Sequence, residues 1–245
     1  MKDNFSLHAN VYAQYRPGYP EELFDYILSF VKEKELAWDC GTGNGQSAKI
    51  LSRHFKKVVA TDISQQQIDH AEQAPNIFYR IESAEQTSLE DKSVDLLTVA
   101  QAVHWFDFDR FNTEVKRVLK QGGVVAIWTY SLLQVSKEVD DLISHHHFVG
   151  LKDHWDPERK YVDEHYANIP FPFREISAPA FNIRLSWTID DLRGYLNTWS
   201  ALQKFIRAND HNPVDELIRS IASCWGASAR REIIFPVHLR LGIID

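Results

Sequence analysis

The residues best suited to chemistry lie between positions 38 and 62. The run WDCGTGNG at residues 38–45 stands between a strand pattern and a helix pattern, and Asp62 ends the following strand. Glycines at Gly41, Gly43 and Gly45 let the backbone come close to a ligand, and a helix N-terminus behind them favours polar or negative groups. Asp62 lies 21 residues beyond Gly41, close to the gap of roughly 20 residues expected for an acid that bridges ribose hydroxyls. Asp39 puts a second anion in the same crevice, where it would repel a pyrophosphate and attract an ammonium group. A plain glycine turn is the simpler reading, and the two flanking acids count against it. A nicotinamide dehydrogenase shares the loop and the strand-end acid. However, Gly45 comes one residue early for GxGxxG, and Asp39 stands where the pyrophosphate would approach.

Other candidates lie further along. His104, in AVHWF directly after the fourth strand pattern, could act as a base at the mouth of the site. It could equally shape the pocket wall together with Trp105. The triplet His145, His146 and His147 resembles a metal site only on paper. Consecutive helical residues point about 100 degrees apart, so three cannot converge on one ion. A solvated helix face or the edge of an acceptor pocket is expected there, and no metal. Trp155, Trp187, Trp199 and Phe148 read mainly as core aromatics, and Arg184 and Arg193 as surface ion-pair partners.

The elements that position these residues alternate along the chain. Pro20 opens a helix carrying Leu23, Phe24, Ile27, Leu28 and Val31 at helical spacing. Strand patterns follow at residues 35–40, 57–62, 76–82, 93–100 and 124–130. Ser64 with Gln67 forms a capping box for one intervening helix, and another ends at Gly122 and Gly123. Five apolar strands separated by helices point to a parallel sheet covered on both faces, wound by right-handed crossovers. Beyond residue 130 an irregular helical insertion spans about 131–173. A strand at 176–187, helices at 188–205 and 213–225, and a closing strand at 233–244 complete the chain. The expectation is one α/β domain, a doubly wound, mostly parallel seven-stranded sheet with a helical insertion after strand five. Residues up to about 130 would form the cofactor part, about 131–173 an acceptor cap, and 174–245 the C-terminal helices and closing strands.

These segments resemble the class I S-adenosylmethionine-dependent methyltransferases. DCGTGNG is similar to their first motif and TDIS to their second, while VLKQGGVVAI resembles their turn into strand five, with Gln121 replacing a proline. AVHWF and the early YAQYRPGYP are similar to a small-molecule branch related to the trans-aconitate methyltransferases. The resemblance implies a Rossmann-like fold and S-adenosylmethionine as cofactor, with S-adenosylhomocysteine as product. It places Gly41 and Gly43 against the methionine part, Asp39 near its amino group, and Asp62 on both ribose hydroxyls. Ser83, Ala84 and Glu85 would lie beside the adenine, with Ser83 standing where an Asp is common. Gln101 would face the methionyl tail and Arg16 would reach the cofactor carboxylate. Tyr12, Tyr15 and Tyr19 are lid or packing residues on this reading. A carboxylate acceptor would need no base, whereas a hydroxyl would; a partner subunit that binds cofactor without catalysis stays open as an alternative.

Composition narrows the partners. The 245 residues carry a net charge of −7 and only two cysteines, Cys40 and Cys224. Phosphate contacts need clustered Lys and Arg, so nucleic acid is not an expected partner. No apolar run is long enough to span a membrane. Two cysteines build no disulfide framework, and a cytoplasmic small-molecule enzyme is the expectation.

Overall fold

The computed structural model describes residues 15–245; Tyr12 lies outside that range. Eight strands form one sheet: β1 (Leu36–Cys40), β2 (Lys57–Asp62), β3 (Ile77–Ile81), β4 (Val94–Ala100), β5 (Leu119–Tyr130), β6 (Arg174–Ile176), β7 (Phe181–Trp187) and β8 (Arg231–Ile243). Their order is β3-β2-β1-β4-β5-β8-β6, with β7 also paired to β8. The first five run parallel. β8 is antiparallel to β5, and β6 and β7 are antiparallel to β8. The anticipated strand at 176–187 is therefore two short strands sharing one edge of β8. Residues 177–180 step out of the ladder, and Pro179 among them has no N–H to donate. The sheet has seven positions, the last filled twice.

Helices cover both faces. α1 (Glu21–Leu28) and α2 (Gln46–Leu51) pack on one face with Trp128 and Ala126 of β5. α3 (Gln65–Asp69) follows β2, with the Ser64 side chain accepting the Gln67 N–H. α4 (Phe108–Val118) packs Phe111, Val115 and Val118 on the other face, against Val125 and Ile127. Alternation along β5 explains the division, because successive side chains of a strand point to opposite faces. α4 stops at Val118, and the residues up to Gly123 already belong to β5, entering through a register shift between Val94 and Leu96 of its partner. Gly122 takes the left-handed backbone that this entry requires (φ 76°).

Residues after β5 build a cap. It contains α5 (Lys137–His145), a π-helical turn (His146–Gly150) and α6 (Arg159–Asp163). The helix anticipated at 188–205 is two helices, α7 (Ile189–Leu196) and α8 (Ser200–Asn209), and α9 (Val214–Cys224) follows. Trp199 caps α8 and is buried in the core, which requires the chain to turn there.

Candidate active site

The carboxyl ends of β1, β2, β4 and β5 surround a cleft of about 910 Å³, counting its open mouth. The glycine loop forms its floor. Gly41, Gly43 and Gly45 all have positive φ (65°, 55° and 80°), and a Cβ at Gly41 would lie 2.6 Å from that of Ala102. At Gly45 it would come within 2.1 Å of the Tyr79 hydroxyl. No residue but glycine can follow this path without displacing neighbours.

Asp62 ties the loop to β2. Its Oδ2 accepts the Gly43 N–H at 2.9 Å and its Oδ1 the Ser64 N–H at 2.9 Å. Carboxylate oxygens accept more than one hydrogen bond, so vicinal hydroxyls can join this arrangement. Asp39 sits beneath the loop. It is 1% exposed and does not line the cleft; Oδ2 accepts from Thr42 Oγ1 at 2.5 Å and Oδ1 from Thr98 Oγ1 at 2.7 Å. Burial pushes its carboxyl up to about 6, against the pull of these hydroxyls.

Of the residues that the resemblance assigns to the cofactor, Arg16, Gly41, Gly43, Asp62 and Gln101 line the cleft. Ser83, Ala84 and Glu85 do not. They follow β3, where the Glu82 N–H donates to the Asp62 carbonyl, and Glu85 Oε1 accepts the Asp107 N–H at 3.0 Å. Ser47 escaped sequence reasoning: it lines the cleft, and its buried Oγ has no hydrogen-bond partner among the described residues. An unpartnered buried hydroxyl beside a glycine cradle suits a polar ligand that approaches the backbone closely. Gln101 also stands out, with φ 56° at a non-glycine residue. Its N–H donates to the Trp128 carbonyl at 2.9 Å, and its Oε1 accepts from Thr129 Oγ1 and the Tyr130 N–H.

A second cavity of about 510 Å³, again counting its mouth, adjoins the first. Arg16, Gln101 and Trp105 line both. His104, Trp155, Asp156, Arg159, Trp199 and Ser200 complete the second. Arg16 Nη1 donates to the Tyr130 hydroxyl at 2.7 Å. The Arg159 guanidinium lies 4.8 Å from the Trp155 ring centre and pairs with Asp163 at 3.0 Å. Asp163 in turn lies 3.4 Å from Nε2 of His147. His104 is 6% exposed, and its Nδ1 is 2.8 Å from the Tyr166 hydroxyl. Burial, reinforced by the Arg159 charge, drives its pKa down to about 3, so the ring is neutral near pH 7.

The histidine triplet divides. His145 is exposed, whereas His146 and His147 are buried against Trp199, correcting the solvated-face expectation. The π-helical turn that follows α5 carries both rings inward. Phe148 is 54% exposed rather than a core aromatic. Arg184 pairs at the surface with Glu232, as anticipated.

Residues 38–127 match a family described as a methyltransferase domain. A protein of Dictyostelium discoideum, provisionally named a methyltransferase, is 36% identical over 98% of this chain and 94% of its own length. A Saccharomyces cerevisiae protein provisionally named an S-adenosylmethionine-dependent methyltransferase is 23% identical over 86% of this chain and 84% of its own length. A solved structure from Anaeromyxobacter dehalogenans, provisionally described as a type II methyltransferase, is 37% identical with a TM-score of 0.87, covering 94% of this chain and 98% of that one. These likenesses run through the cap and the closing strands, not the glycine loop alone, and they give no support to the dehydrogenase or the non-catalytic subunit. The chain belongs to the class I S-adenosylmethionine-dependent methyltransferases.

Proposed function

We propose that this methyltransferase holds S-adenosylmethionine in the glycine-loop cleft and O-methylates a small carboxylic acid in the adjoining cavity. The observation that carries the reading is the shared wall: Arg16, Gln101 and Trp105 border both cavities, and the second adds Arg159 among three indoles. Two guanidinium groups suit a carboxylate, and indole faces suit an apolar body behind it. The sequence resemblance of AVHWF and YAQYRPGYP to small-acid methyltransferases supports the same acceptor class.

When bound, the cofactor supplies an electrophilic methyl group on a sulfonium whose departure leaves a neutral thioether. Asp62 would take the ribose hydroxyls, Gly41 and Gly43 would lie along the methionine part, and Ser47 would offer it a hydroxyl. Ser83, Ala84 and Glu85 are proposed as the outer edge toward the adenine. Asp39 would act on the ammonium group from beneath the loop while holding Thr42. Arg16 stands where the two ligands meet and could hold the carboxylate of either. An acid acceptor is already ionised near neutral pH, so no residue must remove a proton. Orientation against the aromatic wall of the cavity is then the chief task of the protein.

Calorimetric titration with S-adenosylhomocysteine and with NAD tests the cofactor. The thioether should bind and NAD should not. Incubation with labelled S-adenosylmethionine and a panel of acids, phenols and alcohols tests the acceptor. Methyl esters are expected; products from phenols or alcohols alone would overturn the acid reading.

A further inference from the structure

Two adjacent non-glycine residues, His165 and Tyr166, have left-handed backbones, with φ of 57° and 62°. Such geometry at bulky residues is strained and persists only where surroundings over-determine it. Here they do. The Tyr166 N–H donates to the Tyr161 carbonyl at 2.7 Å, and the Tyr166 carbonyl accepts from Arg240 Nη1 at 3.0 Å. Arg240 also binds the Ile169 carbonyl at 2.7 Å and both carboxylate oxygens of Glu175. The His165 ring stacks on His238 with centres 3.8 Å apart. The outcome is a fully buried Tyr166 whose hydroxyl meets Nδ1 of His104 at 2.8 Å. His104 lines the second cavity and Tyr166 does not, so the bond fastens the ring edge turned away from that cavity.

We infer that Tyr166 is a positioning residue that fixes His104 as its Nε2–H tautomer, making the ring a neutral hydrogen-bond donor toward the acceptor cavity. In a neutral imidazole one nitrogen donates and the other accepts. A phenol is a good donor with a weak acceptor oxygen, while an unprotonated imidazole nitrogen is a strong acceptor, so the hydroxyl donates to Nδ1. The proton then resides on Nε2. Protonating both nitrogens is opposed by burial and by Arg159, whose partner Asp163 offsets it only in part. Arg16 and Asp156 are the other charged groups lining the same cavity. A neutral donor suits an anionic acceptor that needs no base. That purpose rests on the acid-acceptor reading; the tautomer does not.

Long-range proton–nitrogen NMR spectra of the histidine-labelled full chain at pH 7 decide it, with the His104 signals assigned by their loss in His104→Gln. The expected result is a single neutral Nε2–H form in the wild-type protein and a mixture including Nδ1–H in Tyr166→Phe. An Nδ1–H form or an imidazolium in the wild-type protein would overturn the inference, as would an unchanged tautomer in the variant. The wild-type spectrum stands even if the variant does not fold. No acceptor is needed, so this failure is separable from failure of the acid panel. A further reading comes from benzoate added to the protein loaded with S-adenosylhomocysteine. Bound benzoate, seen by tryptophan fluorescence, should shift the Nε2–H signal; binding without a shift overturns the donor role.

Discussion

The glycine-loop cleft is lined mostly by loop residues and strand ends, drawn largely from residues 41–67 and fixed by the parallel sheet. The adjoining cavity draws most of its lining from later in the chain: Trp155, Asp156 and Arg159 from the cap, Trp199 and Ser200 from the start of α8. Ion pairs hold these in place: Asp163 holds Arg159 within the cap, and Lys204 of α8 holds Asp156 at 2.6 Å. The first region is therefore as rigid as the fold that makes it, and changing it should disturb binding of the shared cofactor. The second can change its side chains while leaving the sheet intact. Acceptor choice and cofactor binding should come apart on mutation.

The largest effect should come from Asp62→Ala. It removes the acceptors that would meet two ribose hydroxyls, together with the bonds from Gly43 and Ser64 that shape the loop. A loss of about 3 kcal/mol, roughly 100-fold in S-adenosylhomocysteine affinity, is expected by calorimetry. Unchanged affinity would mean that the loop holds its ligand without this acid. Arg159→Gln should do the reverse. The Michaelis constant for an acid acceptor should rise by about 2 kcal/mol, roughly 30-fold, with S-adenosylhomocysteine affinity unaltered. If both constants moved together, the two regions would be a single energetic unit.

The same contrast explains what the sequence reveals. The cleft is local in the chain, so GTGNG, Asp62 and the five strands stand out as short patterns, and β2 spans the residues its apolar run suggests. Asp39 is legible as an acid beside the loop, yet its burial under Thr42 and Thr98 depends on a strand 59 residues away. The cavity is not local. Arg159 gives no signal on a short helix with mixed charges, and Trp155 and Trp199 look like ordinary core aromatics until α6 and α8 bring them together. The inward turn of His147 needs a π-helical turn that no periodicity announces. Likewise, one apolar alternation at 176–187 conceals a step in the edge strand, because period-two patterning reports facing and not pairing.

The smallest effect expected is on stability, and its sign should differ between the two regions. Asp39 carries a folded pKa of about 6 against an ordinary 3.8. The folded state thus holds this proton more tightly than the unfolded state does. Its contribution favours folding below pH 4, is lost as the pH rises through 6, and leaves a charge penalty of at most ~3 kcal/mol at pH 7. Asp39→Asn should recover part of that, about 1 kcal/mol, since an amide still needs its hydroxyl partners. His104 works in the opposite direction. Its folded pKa of about 3 lies below the ordinary 6.5, so its contribution is complete above pH 6.5 and is lost as the pH falls. Urea unfolding at pH 4, 5, 6 and 7.5 should therefore show Asp39→Asn gaining on the wild-type protein toward neutral pH. His104→Gln should gain on it toward acid. On the proposed role of Asp39 toward the ammonium group, this variant should also bind S-adenosylhomocysteine more weakly. An Asp39→Asn protein less stable than wild type at pH 7.5 would show that the two threonine hydroxyls hold the carboxylate at no net cost, and the contrast between the regions would then rest on His104 alone.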